Sequence, residues 1–466
     1  MQDLSRQVVN KAKLPIKVVQ FGSGNFLRGF ADYIIDALND DGYQAGIAVV
    51  KNRPGLSMLD LQQQDGIFTL FTEGIKDGEV FSDQRVISAI STVVNPYDDY
   101  TEYLNLATEP ALKLIVSNTT EAGIYFDPAD SALDNTPHQC FAAKLTALLH
   151  KRYIWCNGAT DKGLYILPCE LIENNGTVLR DLVLQYATLW HLGEDFHSWV
   201  AQHSKFYNTL VDRIVSGYPK ENEMQYRAKL DYSDKLITIC EPYLFWGIEG
   251  DASLATHFPF RQFGDQIALV DDLSPYRIRK VRILNGAHTL MAQIGRLRDL
   301  ETVGQCMEDS FTRHFITHAI EREILPTIAL PKEALQQYTD EVIDRFKNPF
   351  LRHYLADIAQ NTILKFKTRL LPTIIDYIEI HTAYPKHLLF ALAALIHLST
   401  QNENSVADSG STNSEKNYED IVSCFILEHD FSGRRLEQNN FLTPLAHALM
   451  LIGTVGLQDG YQRFCR

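Results

Sequence analysis

The chain has 466 residues, 45% of them hydrophobic and 22% charged, which is enough ordinary globular sequence for two or three domains with sizeable cores. Its net charge of −15 and pI near 5.5 exclude nucleic acid and anionic membrane as the main partner, because both select a basic surface. Any anionic ligand must be met by local positive groups.

The first residues, "MQDLSRQVVNKAKLPIKVV", contain no apolar core of signal-peptide length, and no segment approaches the roughly 18 uninterrupted apolar residues of a membrane span. The expectation is a cytoplasmic protein acting on small molecules. Seven cysteines, at 140, 156, 169, 240, 306, 424 and 465, are dispersed without a CxxC pair. They read as reduced thiols, and no structural metal site is expected.

Residues 16–21, "IKVVQF", form a short β-branched run, followed by "GSGNFLRGF" and an amphipathic segment at 30–38. This is strand, glycine turn, helix. Gly22 would make the tight turn, Gly24 would admit a pyrophosphate close to the backbone, and the helix start would offer free N–H groups to it. The third glycine position of the dinucleotide fingerprint holds Leu27, with Gly29 two residues later. The helix is therefore expected to pack less closely or with a different offset.

A second strand follows at 46–53, "GIAVVKNR", ending in Lys51 and Arg53 where an acid that binds ribose hydroxyls is expected. Either these cations receive a 2′-phosphate or they are solvated loop residues; the second reading is preferred. At 111–126 a buried strand runs into Ser117, Asn118, Thr119, Thr120 and Glu121. In an open parallel sheet ligands lie beyond the carboxyl ends of strands, so this cluster is placed for a nicotinamide ring; alternatively it caps the next helix. The segment 163–176 repeats the arrangement with Glu170 and an Asn174-Asn175-Gly176 turn. In "LVDRIVSGYP", 210–219, Asp212 and Arg213 interrupt an apolar run, so at least one faces inward. Strands at "KLITIC" and "QIALVDD" close this half.

From residue 276 onward a period of 3.6 dominates, with helices expected over 321–329, 334–346, 351–380 and 387–397. The polar stretch 399–417 is expected to be a mobile surface loop. The fold class is thus α/β: a doubly wound, Rossmann-like sheet domain over 1–274 and a mostly α-helical domain over 275–466.

The joining helix at 275–291, "PYRIRKVRILNGAHTLM", carries the chemistry. On an ideal wheel Leu284, Ala287 and Met291 fall within about 40° of Lys280, which would point the lysine into the apolar stripe. Arg279, Arg282, Thr289 and Gln293 lie away from it. His288 and Asn285 stand about 80° and about 140° round from Lys280, bordering one face. Two readings stand: a snorkelling lysine with a satisfied core histidine and a packing asparagine, or a reactive set. Reducing a ketone with a nicotinamide leaves an alkoxide to be protonated. A buried lysine has a lowered pKa suited to that exchange, and Asn285 and His288 can donate hydrogen bonds to the oxygen, work that a zinc ion does elsewhere.

Tyr276 and Lys280 also satisfy the Tyr-x3-Lys pair of short-chain dehydrogenases. In those enzymes the pair lies within a single Rossmann domain, and Tyr276 follows Pro275 at a helix entry, where packing explains it.

Lys280-x4-Asn285-x2-His288, with "QFGSGNFLRGF", "SNTTEAG", "PCELI", "LVDRIVSGYP" and "KVRILNGAHT", resembles the mannitol dehydrogenase family of polyol-specific long-chain dehydrogenases over nearly the whole chain, and within it the members that act on sugar acids. The resemblance implies an NAD-dependent, zinc-independent enzyme with a Rossmann domain and a helical domain, the substrate lying between them. It implies Lys280 as general acid/base, Asn285 and His288 as orienting and polarising groups, and Gly22, Gly24, Asn25, Phe26, Arg28, Thr120 and Glu121 around the cofactor. Asp212 matches an aspartate of the substrate site. Three departures stand out. Arg277 replaces a glutamate that passes protons to solvent. Cys169, Glu170 and Leu171 replace a Cys-Asp-Asn stretch, which moves any amide contact with substrate to Asn175. The second strand lacks its acid. For a uronate carboxylate, Lys365 and Arg369 in "LKFKTRLLP" stand four apart on one helical face, as receptor or as plain surface cations. Other uronate reductases, polyol or polyol-phosphate dehydrogenases of the family, and a non-catalytic dinucleotide-binding sensor are the alternatives.

Tyr276→Phe is expected to lower kcat only slightly; a loss on the ~10²–10⁴ scale of a removed general acid in steady-state assays would restore the tyrosine reading.

Overall fold

A computed structural model describes residues 2–55, 57–119, 123–404, 418–431 and 441–465. The chain divides into two compact units, Met1–Leu273 and Ser274–Arg466.

In the first unit, β1 (Ile16–Phe21), β2 (Gly46–Val50), β5 (Ile90–Val94), β6 (Leu114–Ser117), β7 (Tyr165–Pro168) and β8 (Lys205–Phe206) form one sheet in the order β5-β2-β1-β6-β7-β8. Every pairing in it is parallel. Period-two alternation splits its side chains between two cores: Val18, Ile47, Val49 and Val116 on one face, Val19, Phe21, Val50 and Ile115 on the other. Burial of both faces is why these strands read as continuous apolar runs. Strand order reverses between β1 and β6, the position where open parallel sheets leave a crevice for a ligand.

A second sheet, β10-β11-β3-β4, joins the hairpin β3 (Phe68–Lys76) and β4 (Glu79–Ile87) to β10 (Val215–Gly217) and β11 (Thr238–Cys240). A third, β13-β12-β9, contains β9 (Asn208–Asp212), β12 (Phe245–Glu249) and β13 (Ile267–Val270). The strands expected in "KLITIC" and "QIALVDD" therefore exist but belong to these two small sheets. The hairpin was not read from the sequence, because β4 is largely exposed and charged and lacks the alternation that marks a half-buried strand. The second parallel strand ends at Val50, short of Arg53.

Behind the glycine turn the helix runs over 25–40, with a π-helical turn at Arg28–Asp32. Gly29 does the close packing that the fingerprint assigns two residues earlier. A Cβ there would lie 2.8 Å and 2.9 Å from the Val215 methyls, so the offset is real but its partner is the small second sheet. Arg213 reinforces the contact, donating from Nη1 to the Gly29 carbonyl at 2.7 Å. Asp212 and Arg213 are both buried, where the sequence required only one.

The second unit is helical around the segment Gly286–Ile294, every residue of which is buried. It packs against Ser310–Ala319, Leu355–Ile358, Thr362–Arg369 and Lys386–Asn404. The expected helix over 351–380 is three helices, Leu355–Ile358, Thr362–Arg369 and Leu371–His381, broken where Asn361 adopts a left-handed conformation. The helix expected over 387–397 continues to Asn404. That end of the proposed loop at 399–417 is therefore helical, and 405–417 lie outside the described residues.

Candidate functional site

In the first unit the site is the turn after β1. Gly22 has φ +118°, and a Cβ on it would lie 2.8 Å from the Asn118 carbonyl oxygen, so only glycine fits this turn. At Gly24 nothing lies within 4 Å of the corresponding point. That is open room for a phosphate to approach the backbone. A glycine turn at the reversal point of a parallel sheet, with free space over its second glycine, fits a dinucleotide. Asn25 is exposed beside Gly217, and Phe26 stacks on Phe30 at 4.9 Å. Arg28 turns away toward β11, where Nη1 reaches the Leu236 carbonyl at 3.3 Å and Thr238 Oγ1 at 3.5 Å. Thr120 and Glu121 lie outside the described residues.

Among the described residues of the polar cluster after β6, the side chains turn to Glu170 and Cys169 instead of capping a helix. Ser117 Oγ donates to Glu170 Oε2 at 3.0 Å, and Thr119 donates from both its amide and its hydroxyl to Oε1 at 2.9 Å. Asn118 Nδ2 donates to the Cys169 carbonyl at 2.8 Å. Burial raises the Glu170 carboxyl above its ordinary value, against the pull of these donors. Glu170 thus ties the carboxyl ends of β6 and β7 together beside the reversal point. Asn175 is a second tie: Nδ2 donates to the Pro168, Glu170 and Thr209 carbonyls, while Oδ1 accepts from the Gly176 and Thr209 amides. Its amide has nothing left for a substrate, which corrects the role expected of it. At the end of β2, Lys51 lies over the Tyr97 ring and Arg53 donates to the Thr119 carbonyl at 3.2 Å. Lys51 is half-buried, and Arg53 remains exposed to solvent while it makes this bond.

In the second unit the helix over 274–294 is not uniform. Lys280–Asn285 is a π-helical turn, and the Gly286 amide bonds the Val281 carbonyl five residues back. Side chains five apart then stack as those four apart do in an α-helix. Lys280 and Asn285, about 140° apart on an ideal α wheel, come onto one face. His288, three residues on in regular α-helix, is a neighbour of Asn285 on the same stripe. Lys280 and Asn285 are half-buried and His288 is buried, so the lysine borders the core rather than entering it, a correction to the wheel. The other wheel assignments fail for a related reason. Thr289 and Gln293 are 1% and 0% exposed, because the helix is central and has no solvent face. Arg282 is held by Asp376 at 2.6 Å and by Thr327. Arg279 stacks over the Tyr276 and Tyr338 rings at 5.2 Å and 4.1 Å, the packing expected of Tyr276.

The His288 ring lies against Phe346 at 4.8 Å and edge-on to His353 at 4.7 Å. His353 was missed because the period-3.6 reading placed it inside a helix. Residues 351–353 have no regular structure, and the backbone around His353 is held by a bond from the Val303 amide to its carbonyl. Burial lowers the pKa of His353, opposed by Asp357 and assisted by Lys365. Arg369 Nη1 lies 3.3 Å from Thr289 Oγ1 and 3.5 Å from the Asn285 carbonyl. Lys365 donates to the Ile358 carbonyl at 2.9 Å; burial and then Arg369 pull its pKa down. Lys365 and Arg369 are therefore a cationic neighbourhood beside the Asn285 and His288 stripe, with His353, which burial favours in its neutral form, next to it. Asp212, in the other unit, is buried at the end of β9.

Residues 16–261 match the family described as the Mannitol dehydrogenase Rossmann domain, and residues 272–427 the Mannitol dehydrogenase C-terminal domain. The chain belongs to the mannitol dehydrogenase family. Membership makes it an oxidoreductase acting on CH–OH groups with a nicotinamide dinucleotide. It is 44% identical over 405 residues to an altronate oxidoreductase of Bacillus subtilis, covering 86% of this chain and 84% of that one. An altronate oxidoreductase of Shigella flexneri is 41% identical over 398 residues, covering 85% and 82%. Among solved structures the fold is similar to a D-sorbitol dehydrogenase in substrate-free form, with TM-score 0.77, 20% identity and coverage of 99% and 100%. It is also similar to Pseudomonas fluorescens mannitol 2-dehydrogenase in ternary complex with NAD and D-mannitol, with TM-score 0.71, 20% identity and coverage of 100% and 99%.

Glu170→Ala leaves three buried donors without an acceptor. It should lower the unfolding free energy by about 2–5 kcal/mol in urea titrations and weaken dinucleotide binding measured on the folded protein.

Proposed function

We propose that the protein catalyses the reversible reduction of D-tagaturonate to D-altronate with NADH, in the cytoplasm, as a step of hexuronate use. The observation that carries this reading is the identity of 44% and 41%, over 86% and 85% of the chain, to proteins named altronate oxidoreductase. The cationic neighbourhood of Lys365 and Arg369 beside the proposed reacting groups supports an acidic substrate over a neutral polyol.

Gly22, Gly24, Asn25 and Phe26, with Thr120 and Glu121, surround the dinucleotide, and Arg28 braces the helix from behind. Bound NADH supplies a hydride to the carbonyl carbon. Lys280 Nζ gives a proton to the carbonyl oxygen as negative charge develops there, and takes it back in the oxidative direction. Asn285 and His288 donate hydrogen bonds to that oxygen, strongest when it is most charged. The π turn supports this division of labour, since it puts all three on one stripe. Arg369 presents guanidinium donors to the uronate carboxylate, with Lys365 adding charge.

Purified protein assayed with NADH should turn over tagaturonate in preference to fructuronate and fructose; NADH binding with no turnover of any ketone favours the sensor reading. Lys280→Ala should lower kcat by about 10²–10⁴ while NADH still binds, as read by fluorescence titration, and near-normal kcat sinks the acid/base role. Arg369→Ala should raise KM for the uronate by about ten- to hundredfold and change KM for an uncharged ketose little; equal effects on both would remove Arg369 from carboxylate recognition.

A further inference from the structure

The helix behind the glycine turn contains a group that the proposed chemistry leaves unused. Asp32, the last residue of the π turn Arg28–Asp32, is 0% exposed, and neither of its carboxyl oxygens has a hydrogen-bond partner. Gln20, on β1, is equally buried. Its Nε2 donates to the Gly22 carbonyl at 3.1 Å, and its Oε1 has no partner. The groups acting on Asp32 are Gln20 from β1, and Arg28 and Asp36 from its own helix. Asp36 is otherwise committed, whereas Arg28 is bonded elsewhere through Nη1 and its buried Nε has no hydrogen-bond partner. Arg28 bonds Leu236 and Thr238, and Asp36 accepts from Arg85 and Ser88.

Three buried acceptors that accept no hydrogen bond are a costly arrangement, about 1–3 kcal/mol for each unmet group and more for an ionised carboxylate. A single proton answers two of the three. It turns one Asp32 oxygen into a donor and supplies Gln20 Oε1 with the partner it lacks.

We propose that Asp32 is a neutral carboxylic acid that donates its O–H to Gln20 Oε1, and that this proton fixes the carboxamide whose Nε2 holds the Gly22 carbonyl of the dinucleotide turn. Asp32 is a positioning residue, acting on the cofactor site through Gln20; the inference rests on the reading of that turn as the dinucleotide site. Loss of the proton reverses the preference of the amide. A carboxylate draws Gln20 Nε2 toward itself, the carboxamide turns over, and the Gly22 carbonyl faces Oε1 in place of its donor. Burial holds the proton, pushing Asp32 up to about 8; Gln20 and Arg28 pull the other way and Asp36 adds to the rise. The folded chain therefore keeps a proton that the unfolded chain releases in the ordinary carboxylate range. Stability falls with pH between that range and about 8 and levels off above it, and the ordered turn is lost as pH rises through the upper value.

The test is NADH affinity of the full chain, by fluorescence titration from about pH 6.5 to about pH 9.5, for wild type, Asp32→Asn and Gln20→Met. Wild-type affinity should fall about tenfold through the upper half of that range. Asparagine keeps an N–H donor toward Gln20 at every pH, so Asp32→Asn should flatten the profile. Gln20→Met removes the intermediary and should flatten it as well. A wild-type profile in either variant overturns the proposal, as does a flat wild-type profile, the result expected if Asp32 is ionised in a direct pair with Arg28. Urea midpoints of the cofactor-free protein separate this from failure of the dinucleotide reading. Wild type should lose stability relative to Asp32→Asn between about pH 5 and about pH 8 whether or not NADH binds, and a pH-independent difference overturns the proton assignment.

Discussion

A backbone bond five residues long, from the Gly286 amide to the Val281 carbonyl, decides which side chains of the helix over 274–294 share a face. In an unbroken α-helix Lys280 and Asn285 stand about 140° apart, at the two borders of a face. One π turn closes that angle and leaves His288, in the regular helix beyond it, on the same stripe. The regular part is clamped on every side, so it is a fixed reference against which the looser turn presents its polar groups. Precise presentation of donors to a developing charge depends on that rigidity, because a group free to move gives up in reorganisation what it gains in attraction.

The dinucleotide unit solves the opposite problem, that of holding loops still. Its turn and strand ends are tied by buried polar groups that work as staples: Glu170 across β6 and β7, Asn175 across three backbone segments, Arg213 onto Gly29, Gln20 onto Gly22. Each is worth little as a net hydrogen bond but is expensive to break, since the freed partners stay buried. The carboxyl ends of the strands, where a ligand belongs, are in this way as well fixed as the sheet that carries them.

Charge is distributed to match. The chain is strongly acidic as a whole, yet Lys365 and Arg369 gather beside the proposed reacting stripe. Within a partly buried setting such a cluster attracts an anionic substrate more strongly than exposed cations would. Crowding also lowers the cost of an incoming carboxylate, which relieves repulsion already present between Lys365 and Arg369.

The sequence by itself determined the strand, glycine turn and helix of the first unit, the helical character of the second and the family, and it singled out Lys280, Asn285 and His288 for the proposed chemistry. These are carried by local chemistry: a run of β-branched residues, a glycine where φ must be positive, a fixed spacing along one helix. Tertiary structure alone decided the rest. A π turn leaves no mark in hydrophobic periodicity, so the wheel sent Lys280 into the core. A helix buried on all sides has no polar face to read, so Thr289 and Gln293, which lie away from the apolar stripe on the wheel, are buried all the same. Glu170 meets Ser117 and Thr119 across two adjacent strands, some fifty positions apart in the chain, and Asn175 spends its amide on backbone. His353 reaches His288 because its segment leaves the helical pattern. Contacts of that kind follow from how elements stack, and stacking is set by the sum of many weak apolar contacts that no single stretch of sequence contains.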